Sequence, residues 1–305
     1  MSSNHLPCVS VGMAVYNCAA TVDAAVRSIA NQAFSDWELL LIDDGSMDGT
    51  ADLARSHPDP RIRVFSDQLH QGQAARLNQA IEMARGKFFA RMDGDDVSYP
   101  ERLALQVEYL ESHPEIDLLG GGLLVFGRDG HVLGTRESRV AHEQICRRPW
   151  AGFHLAHPTW LGRIGWFRKH LYRSEADPNQ DQDMLLRSYE NSRFAAIPEI
   201  VLGYREENLS LRKMLVGRRY FVRSAIREAL HRRKYLMGVG TVVEHTLKGL
   251  IECLAMGTGL DYSVLRHRAA PADEVTVRRW KQVWEEVQAE RRAYGAFSCA
   301  GSIAD

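Results

Sequence analysis

"GKFFARMDGDDVSYPER", residues 86–102, contains an apolar run that ends abruptly in Asp93, Asp95 and Asp96. A short apolar run predicts a buried strand, with the three acids at its carboxyl end. Carboxylates this close repel one another, and Mg²⁺ or Mn²⁺, which favour oxygen ligands, would neutralise them most simply. The alternative is that one aspartate caps the next helix while the others are solvated. Ser98 and Glu101 are spaced as a capping box for that helix.

The chain before this stretch alternates apolar, β-branched runs with segments of helical periodicity. This pattern predicts an α/β fold, in which a Rossmann-like, mostly parallel sheet is flanked by helices. Ligands of such sheets bind beyond the carboxyl ends of the strands. Three polar clusters follow predicted strands, namely Tyr16-Asn17, Asp43-Asp44 and the acids after residue 92. We therefore expect all three clusters at one edge of the sheet.

The chain after about residue 205 has a different character, with long helical and locally basic segments. We therefore expect an α/β domain over residues 1–210 and a helical C-terminal region over residues 211–305. In the last helix, Trp280 and Trp284 share an apolar stripe, and Gly295 is expected to end the helix. Burial of this stripe would pack the region onto the α/β domain.

The composition limits the classes of partner. The 305 residues carry a formal net charge of -1, so no nucleic-acid partner is expected. Five scattered cysteines without C-x-x-C spacing favour a reducing compartment over a disulfide framework or zinc site. The start of the sequence does not resemble a signal peptide, and no apolar run is long enough to span a membrane. A cytoplasmic location is expected, while the oligomeric state cannot be derived.

Five segments, in order, resemble the inverting glycosyltransferases of family 2, which have the GT-A fold. They are "VSVGMAVYN", "WELLLIDDGSMDGT", "QGQAARLNQAI", "FFARMDGDDVSYPERL" and "NQDQDMLLR", over roughly residues 7–205. The resemblance implies a sugar transfer from a nucleotide-sugar donor, UDP-linked, to an acceptor hydroxyl. The enzyme would be a hexosyl- or N-acetylhexosaminyl-transferase of bacterial cell-surface polysaccharide or glycolipid synthesis. The acceptor would be a carbohydrate or a lipid-linked molecule.

The resemblance also implies roles for the donor-binding residues. Tyr16, with its neighbour Asn17, and Asp44 match positions that hold the nucleotide base, usually uracil. Arg76 matches an arginine near the base and phosphates. Asp93 and Asp95 match the D-x-D motif, in which Asp95 would bind Mn²⁺ or Mg²⁺ directly. Asp93 would contact sugar or ribose and support the metal.

The catalytic base implied by the resemblance is Asp181, in a motif usually written Glu-Asp. Gln180 replaces the glutamate here, and Asp183 lies two residues further on. The register of the base therefore stays open between Asp181 and Asp183, with Asp183 retained as a substrate-binding candidate.

Two other classes of protein remain as alternatives. A non-catalytic nucleotide-binding or membrane-associated scaffold would need Tyr16 and Asp44 but not Asp93, Asp95 and Asp181. A phosphatase of the haloacid type would need its aspartate pair after the first strand, whereas here the pair follows the fourth.

Several further side chains have two readings. His154, His157, Trp150, Trp160 and Trp166 could line the acceptor side, or they could order a loop and fill the core. The basic segment 212–234 has an apolar face that includes Ile226 and Leu230. That pattern suits peripheral contact with an anionic membrane at its inner face. A solvated helix or a packing surface is the alternative.

Overall fold

A computed structural model of the chain describes residues 5–206, 210–258 and 269–300. Nine strands form a single sheet. They are β1 Val9–Val15, β2 Trp37–Asp43, β3 Ile62–Ser66, β4 Phe88–Asp93, β5 Val97–Ser98, β6 Leu118–Phe126, β7 Val132–Arg136, β8 Leu161–Arg163 and β9 Phe194–Arg205.

Helices lie between these strands and after them. They are α1 Val22–Ala30, α2 Thr50–Arg55, α3 Gln73–Met83, α4 Arg102–Ser112, α5 His142–Ile145, α6 Ile164–Lys169, α7 Gln180–Ser188, α8 Leu211–His231, α9 Tyr235–Gly257 and α10 Glu274–Ala300. Short 3₁₀ turns occur at His157–Thr159, Ser174–Ala176 and Tyr189–Asn191. Within the described ranges, no helix is both long and apolar enough to cross a membrane.

The strand register places the predicted polar clusters together. The sheet runs in the order β3-β2-β1-β4-β8-β6-β9-β5, with β7 paired to β6. Strands β3, β2, β1 and β4 are parallel neighbours, in which Val15 lies opposite Asp43 and Ala14 lies opposite Asp93. The carboxyl ends of β1, β2 and β4 therefore meet at one edge. The prediction of a mostly parallel sheet with its polar clusters at one edge is confirmed.

Short antiparallel strands complete the sheet beyond β4. Strand β8 pairs antiparallel with both β4 and β6, and the two-residue β5 pairs with β9. Ser98 lies in β5, opposite Leu202, and helix α4 begins only at Arg102. The predicted capping box is therefore wrong, because Ser98 is held in the sheet instead of at the helix start.

Helix α10 returns to the α/β domain and packs against the far end of the sheet. Trp280 is fully buried beside Phe126 and Tyr99, and its Nε1 donates a hydrogen bond to the Gly130 carbonyl at 2.7 Å. A Cβ at Gly203 would lie 2.3 Å from the Trp280 ring, so only glycine allows this approach. The expected burial of the tryptophan stripe is confirmed for Trp280. The helix continues through the predicted stop to Ala300, so that boundary was wrong.

Candidate active site

Four of the six predicted donor-binding residues line a cavity of about 290 Å³ at the carboxyl ends of β1, β2 and β4. Its walls include Tyr16, Asp44, Gln73, Asp93 and Asp95. Tyr16 is partly exposed, and its ring stands 4.3 Å from the ring of His70. The two rings are in contact at this distance, so a planar base could stack on Tyr16 in this base slot only where the His70 ring moves aside.

The Asp44 carboxylate is fixed by four donors. Its Oδ1 accepts from the Gln71 amide at 2.7 Å and from Arg76 Nε at 2.8 Å. Its Oδ2 accepts from the Gly72 amide at 2.9 Å and contacts His70 Nδ1 at 2.9 Å. A carboxylate has about four acceptor positions, so the protein fills all of them. His70 is the exposed member of the set, and its ring is the one that a ligand N–H could replace.

Arg76 supports Asp44 from beneath the cavity. Its side chain is only 2% exposed, and it also binds Asp67. Arg76 is therefore a buried residue that holds Asp44 in place beneath the base slot. A side chain buried in this way does not contact a phosphate directly.

Arg91 and Arg205 partly neutralise the acidic cluster. Arg91 is buried and pairs with Asp93, whose Oδ1 also accepts from Gln73 Nε2 at 3.0 Å. The Arg205 amide donates to Asp96 Oδ1 at 3.0 Å, and its Nε donates to the Asp95 carbonyl at 2.9 Å. Desolvation in the cleft and the charge of Asp93 raise the pKa of Asp95 to about 6. Burial and the negative charges of Asp95 and Asp93 raise the pKa of Asp96 well above its usual value.

These features fit a divalent cation. One carboxylate oxygen from each of Asp93, Asp95 and Asp96 lies within 4.8 Å of the others. Asp96 Oδ2 is buried without a hydrogen-bond partner among the described residues. A cluster of hard carboxylate oxygens is the donor set that Mg²⁺ or Mn²⁺ prefers.

Asp181 lies between two further cavities. It stands in the first turn of α7, and Gln182 Nε2 donates to its Oδ2 at 3.2 Å. One cavity, of about 920 Å³, also contains Tyr16, Asn17 and Asp95. The other, of about 360 Å³, contains Arg136 and His154. Desolvation raises the pKa of Asp181 above its usual value, which suits a group that accepts a proton near neutral pH.

The side chain of Asp183 is held in a buried ion pair. Its buried carboxylate accepts from Arg187 Nε at 2.8 Å and lies 3.8 Å from Arg173. Gln180 is also buried, and its Nε2 donates to Gln73 Oε1 at 2.7 Å. Gln73 binds Asp93 in turn, so the amide that replaces the glutamate ties α7 to the acidic cluster.

The aromatic candidates divide between core and cavity. Trp160 and Trp166 are buried in the core, which favours the packing reading for both. His154 and His157 line the 360 Å³ cavity. His157 Nε2 lies 2.8 Å from the Tyr172 hydroxyl, and burial lowers the pKa of His157 well below its usual value, so it is a neutral ordering group.

Sequence reasoning missed several side chains of the site. Gln73, Arg91, Arg205 and Lys213 each lie beside the acids or line the cavities. Arg91 had a usable signal, because residues two apart on a strand point to the same face, as Arg91 and Asp93 do. Lys213 had none, since the approach of α8 to the cleft is a tertiary feature.

Comparison with known proteins identifies the family. Residues 10–171, just over half of the chain, match the family described as "Glycosyl transferase family 2". The putative glycosyltransferase EpsE of Bacillus subtilis is 42% identical over 136 residues, which cover 44% of this chain and 49% of EpsE. The chain thus matches about half the length of that relative. The O-antigen biosynthesis glycosyltransferase WbnJ of Escherichia coli is 28% identical over 262 residues, or 83% of this chain and all of WbnJ.

Solved structures share the fold at low sequence identity. A mannosyltransferase from Pyrobaculum calidifontis, in complex with GDP-Man and Mn²⁺, superposes with a TM-score of 0.59 at 19% identity, covering 93% of this chain and 88% of that one. TarS from S. aureus with UDP-GlcNAc gives 0.57 at 18% identity, covering 72% and 66%. The fold is therefore GT-A, and with more than half of its length matched by the family, the chain belongs to glycosyltransferase family 2 and is a transferase enzyme.

Proposed function

We propose that the enzyme transfers a hexosyl or N-acetylhexosaminyl group from a UDP-linked donor to a hydroxyl of a carbohydrate or lipid-linked acceptor, with inversion at the anomeric carbon. The observation that carries the proposal is the position of Asp181. Its carboxylate lines both the cavity that contains Asp95 and the cavity that contains His154. A base between donor and acceptor spaces is what a single displacement needs.

The base of the donor would lie beside Tyr16 and Asp44, where it would take the place of the exposed His70 ring. Stacking on the tyrosine and an N–H bond to the carboxylate would hold the base. Asp95 and Asp93 would hold Mn²⁺ or Mg²⁺ against the diphosphate, and Lys213 at the start of α8 adds a positive charge to the same space. The solved relatives described above bind UDP-GlcNAc or GDP-Man, and this supports a nucleotide-sugar donor here.

The chemistry follows from these positions. Asp181 accepts the proton of the acceptor hydroxyl while that oxygen attacks the anomeric carbon from the face opposite the nucleotide. The C–O bond to the diphosphate breaks in the same step, so configuration inverts. A bound divalent cation supplies Lewis-acid stabilisation of the charge that develops on the diphosphate. Arg91, which pairs with Asp93, and Gln73 hold the acidic cluster in place.

Polysaccharide or glycolipid synthesis at the inner face of the cell membrane is the setting we propose. WbnJ is named for O-antigen biosynthesis, which supports a cell-surface product. The basic segment 212–234 supports peripheral contact with anionic lipid. Its first residues lie at the edge of the 920 Å³ cavity, so membrane and active site would be close together.

A panel of nucleotide sugars tests the proposal. Metal-dependent hydrolysis or transfer from a UDP-sugar is expected, and NMR of the first product should show the inverted anomer. Binding of nucleotide without hydrolysis or transfer from any donor, with and without candidate acceptors, would favour the non-catalytic scaffold. Retention of configuration would contradict Asp181 as the base of a single displacement.

A further inference from the structure

Helix α9 is amphipathic, but its polar side faces the protein and its apolar side faces solvent. Thr241, His245 and Glu252 are buried, and Glu252 pairs with Arg218 of α8. The outer stripe follows helical spacing of three and four residues, and each of its members is more than half exposed. The stripe consists of Leu236, Val239, Val243, Leu247, Leu250 and Leu254.

This arrangement is the reverse of an ordinary surface helix, which turns its apolar face to the core. Six large aliphatic side chains in one exposed row form a contiguous patch of the kind that marks an interaction site. An apolar groove of about 400 Å³ extends the patch onto α8, where Ile226 and Leu230 meet Val239 and Val243.

The charges beside the patch are positive. Residues 210–258 contain ten Lys and Arg against three Glu. Each glutamate already pairs within the chain: Glu228 with Arg232, Glu244 with Lys248 and Arg148, and Glu252 with Arg218.

Arg219 and Arg223 precede Ile226 and Leu230 on the same face of α8 at helical spacing. Both are exposed, and neither has an acidic partner within the described ranges.

We propose that the α8–α9 hairpin seats this apolar stripe in an anionic lipid surface, with Arg219 and Arg223 against the lipid phosphates. The choice of occupant follows from charge complementarity. A second copy of the chain would bring the same cations together, and its hairpin has no unpaired glutamate to offer them. Anionic lipid supplies both the apolar layer and the negative charge.

The inference rests on the proposed membrane contact and names the surface that makes it. It also changes which basic residues are expected to contact the membrane. Arg218, in the middle of the basic segment, is engaged by Glu252 and belongs to the helix–helix packing. Attachment through basic residues alone would vanish in salt, whereas a seated apolar stripe retains binding when the charges are screened.

Vesicle flotation of the whole chain, without donor, tests the inference. The probes are phosphatidylcholine vesicles with and without phosphatidylglycerol, at about 0.1 M and about 0.5 M salt. Binding to the anionic vesicles is expected at both salt concentrations. The variant Val239→Ser/Val243→Ser/Leu247→Ser should lose roughly 100-fold in partitioning at both. In the variant Arg219→Gln/Arg223→Gln, partitioning onto the anionic vesicles should fall roughly 25-fold at low salt. At high salt it should change little, because the charges are already screened.

Val275→Ser is the matched control, because Val275 is equally exposed but lies on α10. Circular dichroism and the unfolding temperature confirm that each variant folds. Unchanged vesicle binding by the triple serine variant would overturn the inference and leave electrostatic attachment. If light scattering shows that the wild type is a dimer and that the triple serine variant is a monomer, the stripe would be assigned to contact with a second copy of the chain. A monomer that binds no vesicle would also overturn it. Donor hydrolysis, measured in parallel, reports on the transfer activity independently.

Discussion

Asp181 and Asp183 stand two residues, or about half a turn, apart in α7, and their surroundings give them different chemistry. The carboxylate of Asp181 accepts a hydrogen bond from the neutral amide side chain of Gln182, and Asp181 lines two cavities. That of Asp183 is buried in an ion pair with Arg187, and Asp183 lines neither of these cavities. A carboxylate held in a buried ion pair is not placed to meet an acceptor hydroxyl, so the geometry favours Asp181 as the base.

Replacement of Asp181 should therefore remove catalysis and keep donor binding. Asp181→Asn should lower kcat by about 10²–10⁴-fold, the usual contribution of general-base catalysis. Calorimetry with UDP and Mn²⁺ should show an affinity close to that of the wild type. Equal kcat in variant and wild type would reject this assignment.

Asp183→Asn is the control for that experiment. It leaves the Arg187 guanidinium without its buried partner, so the free energy of unfolding should fall by about 3 kcal/mol or more. The kcat of the folded fraction should stay near the wild-type value. If Asp183→Asn folds normally but is inactive, the base lies two residues further along the helix.

The acidic cluster gives a prediction about pH. The pKa of Asp95 is raised to about 6, above its unfolded value, so the metal-free fold loses stability as pH rises through the interval below about 6. A cation binds the ionised carboxylates and offsets this loss. Mn²⁺ should therefore raise the unfolding temperature more at about pH 7.5 than at about pH 5. Asp95→Asn should remove most of the difference, and equal metal-induced shifts at both pH values would contradict a site at this cluster.

Among the secondary-structure elements, the contact between α10 and β9 depends on the large side chain of Trp280 and on glycine, which has no Cβ, at position 203. Trp280 fills the space that the missing Cβ of Gly203 leaves. Trp280→Ala should lower the free energy of unfolding by about 3–5 kcal/mol, measured by denaturant titration. The exposed Val275→Ala on the same helix should change it by less than about 0.5 kcal/mol. Similar effects of the two changes would mean that α10 is not part of the cooperative fold.

Periodicity predicted the long elements well and the short ones poorly. Strands β1 to β4 and helices α1 and α3 follow the apolar pattern, because each buries one clear face. Strand β5 has two residues and β8 has three, too few for a period to be seen. The pattern of α9 also could not say which face turns inward, since its polar side is buried against α8, where Glu252 pairs with Arg218. Hydrogen bonding around Asp44 likewise depends on a loop geometry that the sequence does not display.

At the scale of the whole molecule, ligand binding should stabilise the chain through linkage. A ligand at 100 times its Kd adds about 2.7 kcal/mol to the free energy of unfolding. UDP with Mn²⁺ should thus raise the unfolding temperature by several degrees, and UDP or Mn²⁺ alone by less. GDP with Mn²⁺ is the matched comparison for the base. A larger shift with GDP than with UDP would contradict the proposed uridine donor.

Charge is divided unevenly over the whole chain. The near-neutral total conceals ten basic and three acidic residues within 210–258, against 28 basic and 36 acidic residues elsewhere. The overall charge therefore gives no electrostatic argument for a polyanionic partner, and it does not show the positive charge of the hairpin. Only the folded positions of α8 and α9 show that the basic and apolar groups share one surface.

The N-terminal end of helix α8 lies at the cleft, and the basic face of the helix follows a short distance further along. Lys213 lines the cavity with Asp181, and Arg219 and Arg223 follow by six and ten residues, or about 9 and 15 Å of helix. If those arginines rest on lipid phosphates, the hairpin lies along the bilayer surface, and the cleft is about one to two nanometres from this contact, measured along that surface. A lipid-linked acceptor in the same membrane would then reach the base by diffusion within the plane of the bilayer.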